Sequence, residues 1–173
     1  MQTPIRVAIN GFGRIGRNLF RLLNTHSNIE VIAINDLSDA RTLSHLLKYD
    51  SIHGIFKEEV SYDENHIIIN KTAVKFSAHS NPEDCHWKKL NIDIVVDATG
   101  KFKTYIAAEK HLFAGAKKVI ISAPPVDNSI KTVVLGVNDE IIKKDDLILS
   151  NASCNTNNAA PMIQVINELC GIE

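Results

Sequence analysis

The chain has 173 residues, 45% of them hydrophobic and 23% charged, with a formal net charge of −1. That is enough length for one substantial buried core, and the near-neutral balance excludes a bulk electrostatic partner such as nucleic acid or a membrane surface. No apolar run approaches the roughly 20 residues of a membrane helix, and the start, Met1-Gln-Thr-Pro-Ile-Arg-Val7, has no signal-peptide core, so a cytoplasmic protein is expected.

The first apolar run, Ile5-Arg-Val-Ala-Ile-Asn10, reads as a short buried strand closed by glycine. From Arg14 to Leu23, the residues Ile15, Leu19, Leu22 and Leu23 recur at helical spacing, and Asn24 to Asn28 breaks the helix. Val31 to Asp36 is a second buried strand, and Arg41 to Tyr49 is helical with Leu43, Leu46 and Leu47 on one face. Strand, helix, strand, helix implies parallel strands joined by crossovers. His66 to Phe76 reads as a hairpin turning at Asn70-Lys71. Further strands are expected at Asn91 to Asp97, Lys118 to Ser122, Thr132 to Leu135 and Leu147 to Leu149, with a helix over Thr104 to Phe113. A last helix starts after Ser153, with Pro161 tolerated in its first turns, where amide protons lack helical acceptors. There are no repeats, low-complexity tracts or linkers. The expected fold class is α/β: a Rossmann-type, doubly wound, mostly parallel sheet with a small antiparallel hairpin.

Three cysteines, Cys85, Cys154 and Cys170, lie far apart without Cys-x-x-Cys spacing, which argues against a disulfide framework or a metal site. Cys85 and Cys170 read as small buried apolar residues. Cys154 differs in setting. It follows Ser153, an N-cap type, at a helix start, where the helix dipole favours the thiolate, the nucleophilic form. None of the seven histidines has a spacing that singles it out as a base, and most are expected on the surface.

Asn10-Gly-Phe-Gly-Arg-Ile-Gly16 carries the glycine spacing of a dinucleotide-binding turn. The pattern is weak alone, but here a strand precedes it, a helix follows it, and Asp36 ends the next strand 20 residues after Gly16. Gly11 permits the tight turn, Gly13 clears space for a pyrophosphate, and Gly16 lets helix and strand pack closely. The helix N-terminus then offers free N–H groups to the phosphates. Asp36 either accepts the adenosine ribose hydroxyls, disfavouring a 2′-phosphate, or acts only as a turn residue. Arg14 is a pyrophosphate contact or a solvated first-turn side chain. Thr99-Gly100 and Ser122-Ala123 follow strand ends, so they are cofactor contacts or ordinary turns.

These stretches resemble the glyceraldehyde-3-phosphate dehydrogenase family. The likeness is carried by Ile9-Asn-Gly-Phe-Gly-Arg-Ile-Gly-Arg17, Ile34-Asn-Asp36, Leu47-Lys-Tyr-Asp-Ser-Ile-His-Gly54, Ala98-Thr-Gly100, Ile121-Ser-Ala-Pro124 and Ser150-Asn-Ala-Ser-Cys154, in family order. The resemblance implies an NAD-binding domain over residues 1–150, then a nucleophile segment over 151–173 that begins a catalytic domain. It implies NAD contacts from Gly11, Phe12, Gly13, Arg14, Ile15, Asp36, Thr99, Gly100 and Ser122. Cys154 is implied as the nucleophile, and Ser153, Cys154 and Asn155 as part of the site for a phosphorylated aldehyde and inorganic phosphate. The implied reaction is the glycolytic oxidation of D-glyceraldehyde 3-phosphate to 1,3-bisphosphoglycerate by a homotetramer. Erythrose-4-phosphate dehydrogenase, or a non-catalytic nucleotide-binding module, is the alternative.

The chain departs from the family pattern in places. Asn155 stands where a Thr is usual, Asn158 where a second Cys is frequent, and His79 near where an Arg meets the adenine. The family's base and phosphate ligands lie downstream of the nucleophile, and this chain runs only 19 residues past Cys154. The expectation is therefore an excised part of a longer enzyme, inactive alone.

Overall fold

The computed structural model describes residues 3–172, so Met1, Gln2 and Glu173, which bound the expected segments and the chain's start, lie outside the described residues. Strand β1 (Ile5–Asn10) leads through the glycine turn into α1 (Arg14–Leu23), then β2 (Ile29–Asn35) and α2 (Ala40–Lys48). Two short strands, β3 (Tyr49–Asp50) and β4 (Gly54–Ile55), pair antiparallel by themselves. Next come β5 (Val60–Tyr62), β6 (His66–Ile69) and β7 (Thr72–Ser77). Two 3-10 turns, Pro82–Cys85 and Trp87–Leu90, precede β8 (Ile94–Asp97), α3 (Tyr105–Phe113) and β9 (Lys118–Ile121). The chain closes with β10 (Lys131–Thr132), a 3-10 turn at Asp139–Ile141, β11 (Ile148–Ser150) and α4 (Cys154–Cys170).

The main sheet has nine strands in the order β10-β11-β9-β8-β1-β2-β7-β6-β5. Every neighbouring pair from β10 to β7 is parallel, while β6 runs antiparallel to both β7 and β5. One face buries Val7, Ile9 and Ile34 against Phe20 of α1 and Leu43 and Leu47 of α2. The other buries Ala8, Ala33 and Val95 around Trp87, and Val119, Ile121 and Ile148 against Ala108 of α3. Helices thus cover both faces, which makes this the expected doubly wound, mostly parallel α/β fold.

The β1–β2 register carries one irregularity. Val7 faces Val31, but Ala8 faces Ala33, so Ile32 is an extra residue in β2. Ile32 and Ala33 consequently pack on the same face instead of alternating. Beyond this point Ile9 faces Ile34 and Asn10 faces Asn35.

Several expectations need correction. The apolar run Thr132 to Leu135 pairs through Lys131–Thr132 and a last bond from Val133 N to Ser150 O at 2.8 Å, after which the Asn138 side chain takes over. Asn138 Oδ1 accepts from Val134 N at 2.7 Å, and Asn138 Nδ2 donates to Thr132 O at 3.0 Å, turning the chain. The strand expected from Asn91 begins at Ile94, since Asn91 is left-handed (φ 50°) and ends a 3-10 turn. Pro161 is not in a first turn. It is the eighth residue of α4, inside a continuous helix, where its missing N–H leaves the Asn157 carbonyl without its helical donor. Cys170 is exposed, because α4 buries none of its residues.

Candidate active site

The carboxyl ends of the parallel strands share one edge, and the expected site residues sit along it. At its centre Gly11 adopts φ +90°, and a Cβ there would lie 2.7 Å from Thr99 N. The turn is tight because the loop after β8 packs against it. A Cβ on Gly16 would fall 2.1 Å from the Gly11 carbonyl oxygen, so α1 can approach the turn only without a side chain. A Cβ on Gly13, in contrast, would meet nothing within 4 Å. It would project into open space before α1, whose first-turn N–H groups have no helical acceptors and whose N-cap supplies no side-chain bond. A cradle of this shape has room and free N–H donors for an anionic group, and a side chain would obstruct it.

A cleft of about 310 Å³ opens over that cradle, lined by Asn10, Gly11, Gly13, Asp36, Thr99 and Phe102 among others. Asp36 acts as a turn residue and also stands in the cleft wall. Its carboxylate accepts from Phe12 N at 2.7 Å and Ser38 N at 2.9 Å, fixing two turns. It also lines the cleft, half-buried, with lone pairs remaining for a ribose. His79 and Ser80 wall that end of the cleft, with the His79 backbone held by Asn35.

The other expected contacts are distributed differently. The Phe12 side chain is wholly buried against Phe20, and its N–H is committed to Asp36, so only its backbone shapes the turn. Arg14 and Ile15 are exposed in the first turn of α1, outside the cleft lining. Gly100 (φ +68°) is exposed just beyond Thr99, and Ser122 follows β9, its N–H bonded to Asp97 O at 2.9 Å.

Ser153, Cys154 and Asn155 lie on the same sheet edge but apart from the cleft. They follow β11, three strands from β1 in the order β1-β8-β9-β11, or about 14 Å at ordinary strand spacing. Ser153 caps α4, its Oγ accepting from Thr156 N at 3.1 Å. Cys154 is the first helical residue and exposed, with its sulfur 3.8 Å from Asn155 Oδ1. The Asn157 amide donates to Asn151 O and Ser153 O, tying the helix start to the strand end. Ala152, buried two residues before the thiol, holds φ 56°, a strained value for a residue with a side chain. The other cysteines contrast with Cys154. Cys85 is buried, and desolvation with nearby Asp84 and Asp97 pushes its thiol up to about 12. Cys170 lies at the far end of the helix.

Sequence reasoning missed the floor of the cleft. Asn10, Asn35, Asp97 and His111 are all buried and mutually hydrogen-bonded. Most histidines are expected at the surface and none is singled out by spacing, yet His111 is fully buried. The available signal was its helical spacing, one turn after Ala108 on the apolar face of α3. Among the described residues no three His, Cys, Asp or Glu gather as a metal cluster, and no helix is long and apolar enough to cross a membrane.

Residues 5–105 match the family described as glyceraldehyde 3-phosphate dehydrogenase, NAD binding domain. The chain is 52% identical over 168 residues to a glyceraldehyde-3-phosphate dehydrogenase of Mycoplasma pneumoniae, covering 97% of this chain and 50% of that protein. It is 50% identical over 169 residues to the enzyme of Geobacillus stearothermophilus, with 97% and 50% covered. The Thermotoga maritima enzyme is also 50% identical over 169 residues, with 96% and 50% covered. The chain therefore spans about half the length of the curated relatives it matches.

Proposed function

This chain belongs to the glyceraldehyde-3-phosphate dehydrogenase family, its NAD-binding domain matched over residues 5–105, and on that premise we propose that it is the cofactor-binding and nucleophile-bearing part of a phosphorylating aldehyde dehydrogenase. The observation that carries this reading is the placement of Cys154 and the glycine turn on one sheet edge, with three strand spacings between them. An extended dinucleotide has the length to lie between such points. The names of the similar proteins favour glyceraldehyde 3-phosphate over erythrose 4-phosphate as substrate.

The chain's own residues fit the cofactor. The open face of Gly13 and the α1 N-terminus receive the pyrophosphate, and Asp36 takes the adenosine ribose and disfavours a 2′-phosphate. Bound NAD supplies the hydride acceptor. Cys154 Sγ, as thiolate, adds to the aldehyde carbon, and the Cys154 and Asn155 N–H groups at the start of α4, without helical acceptors, are placed to stabilise the oxyanion. Loss of hydride from that adduct leaves a thioester on Cys154, which inorganic phosphate cleaves to the acyl phosphate and free thiolate. The oxyanion takes up a proton to become the adduct's hydroxyl, and one group is required to give that proton and to take it back, as a base, when hydride leaves. We assign this group, with the remaining phosphate ligands, to the half of the relatives that this chain does not match. The whole enzyme is proposed to act in glycolysis as a homotetramer.

The test is to assay this chain and a full-length protein with D-glyceraldehyde 3-phosphate, NAD and phosphate. The expected result is NAD binding without turnover for this chain and turnover for the longer one. Robust turnover by the 173 residues alone would refute the assignment of the base.

A further inference from the structure

Beneath the cleft lies a hydrogen-bond relay that the proposed reaction does not use. Trp87 Nε1 is 3.0 Å from His111 Nδ1. An indole N–H can only donate, so His111 Nδ1 accepts and its proton resides on Nε2. His111 Nε2 in turn lies 3.2 Å from Asp97 Oδ2, which also accepts from Asn10 Nδ2 at 2.6 Å. The other Asp97 oxygen accepts from Thr99 N at 3.1 Å and Thr99 Oγ1 at 2.7 Å. Asn10 Oδ1 accepts from Asn35 Nδ2 at 2.8 Å, and Asn35 holds the His79 backbone. Asp97 is 2% exposed and has no lysine or arginine partner among the described residues, so these donors compensate its burial.

The relay ends in residues that line the cleft. Asn10, Asn35, Thr99 and His79 are among its walls, and so is Phe102, whose ring meets the His111 ring edge-on at 5.9 Å. His111 itself is wedged between Phe102 and Trp87, stacked on the latter at 6.2 Å. Removing its N–H leaves the Asp97 carboxylate one donor short inside the protein and frees it to turn away from Thr99.

We propose that His111, locked by Trp87 as the Nε2–H tautomer, is a positioning residue for the NAD crevice: through Asp97 it sets Thr99 and Asn10 at the geometry the bound dinucleotide requires. The inference rests on the NAD-binding reading of this cleft, and the experiment separates the two. NAD is titrated calorimetrically into the 173-residue chain and three variants, and the amide exchange of Thr99 is followed without ligand.

His111→Gln keeps an N–H directed at Asp97, and its NAD affinity should stay within about twofold of the unsubstituted chain. His111→Leu keeps the bulk and loses the donor. It should weaken NAD about tenfold and speed Thr99 exchange about tenfold, while the Val95 amide in β8 is unchanged. Trp87→Phe, at a residue outside the cleft lining, should shift the His111 ring nitrogen resonances towards mixed tautomers and weaken NAD about threefold. A folded His111→Leu protein with unchanged affinity and Thr99 exchange would overturn the proposal, as would equal losses for Leu and Gln. If the Leu variant does not fold, Trp87→Phe decides: altered tautomer with unaltered affinity, or an unaltered tautomer, is the overturning result. A parent chain that binds no NAD would sink the functional reading instead, and Thr99 exchange would still judge the relay.

Discussion

The two ends of the sheet edge are built in opposite ways. Around Gly11 and Asp36 everything is closely packed: glycines stand where a methyl group would collide, a buried carboxylate is satisfied by surrounding donors, and Phe12 is locked in the core. Around Cys154 the hold is local. Ser153, Asn157 and the strained Ala152 fix the first turn of α4, but the helix beyond buries no residue and leaves Met162, Ile163, Val165, Ile166 and Leu169 exposed. The contrast teaches that the glycine-turn end of the edge is fixed by packing, whereas Cys154, the proposed nucleophile, is oriented by the local capping of its helix. Packing errors propagate through a rigid interior, while capping errors stay within one helical turn.

Gly16→Ala probes the packed end hardest. Its methyl group would lie 2.1 Å from the Gly11 carbonyl, and a loss of about 3 kcal/mol or more is expected in urea unfolding. A well-folded, NAD-binding Gly16→Ala protein would break the comparison. Asp36→Ala removes acceptors at the same end, with an expected loss in NAD affinity of about 30-fold, near 2 kcal/mol, read by calorimetry. Alkylation of Cys154 should be unaffected, since nothing but the sheet edge connects the two.

The thiols sharpen the contrast. Burial holds the Cys85 proton up to about 12, above its ordinary value of 9.0. Between these values the unfolded chain loses the proton and the folded chain keeps it, so stability should fall as pH rises through that window. Cys85→Ala should flatten this alkaline decline, measured as the denaturation midpoint against pH. Iodoacetamide at neutral pH should modify Cys154 well before Cys85. Alkylation of Cys154 no faster than that of Cys170 would contradict a nucleophile activated by its helix start. The smallest effect is expected from Ser153→Ala, about 1 kcal/mol confined to the first turn of α4. It should appear as faster amide exchange at Thr156, with the thermal midpoint of the sheet unmoved.

What the sequence disclosed follows the same division. The strand, glycine turn and helix from Ile5 to Leu23 were legible because period and punctuation agree within a short window, and so was the hairpin at Asn70-Lys71, both of whose residues take positive φ. The short strands β3, β4 and β5 were not, because two or three residues carry no periodicity and their pairing is decided by neighbours. The start of α4 at Ser153 was clear from its cap, yet Pro161 pointed to a beginning rather than an interior. The relay through Trp87, His111, Asp97 and Asn10 was hidden for another reason. Its members are separated by 14 to 101 positions, and only the assembled sheet makes them adjacent.

The surplus Ile32 in β2 has a consequence for chain length. The partners on both sides of it, Val7 with Val31 and Ala8 with Ala33, would remain opposite each other if that single position were dropped. Insertion and deletion at this spot are therefore absorbed locally, like slack in a cable, and Asp36, just past the strand, keeps its station beside the glycine turn. A protein shortened by Ile32 alone should retain its coenzyme, whereas the same excision at Ile34 would swing Asn35 and Asp36 out of line.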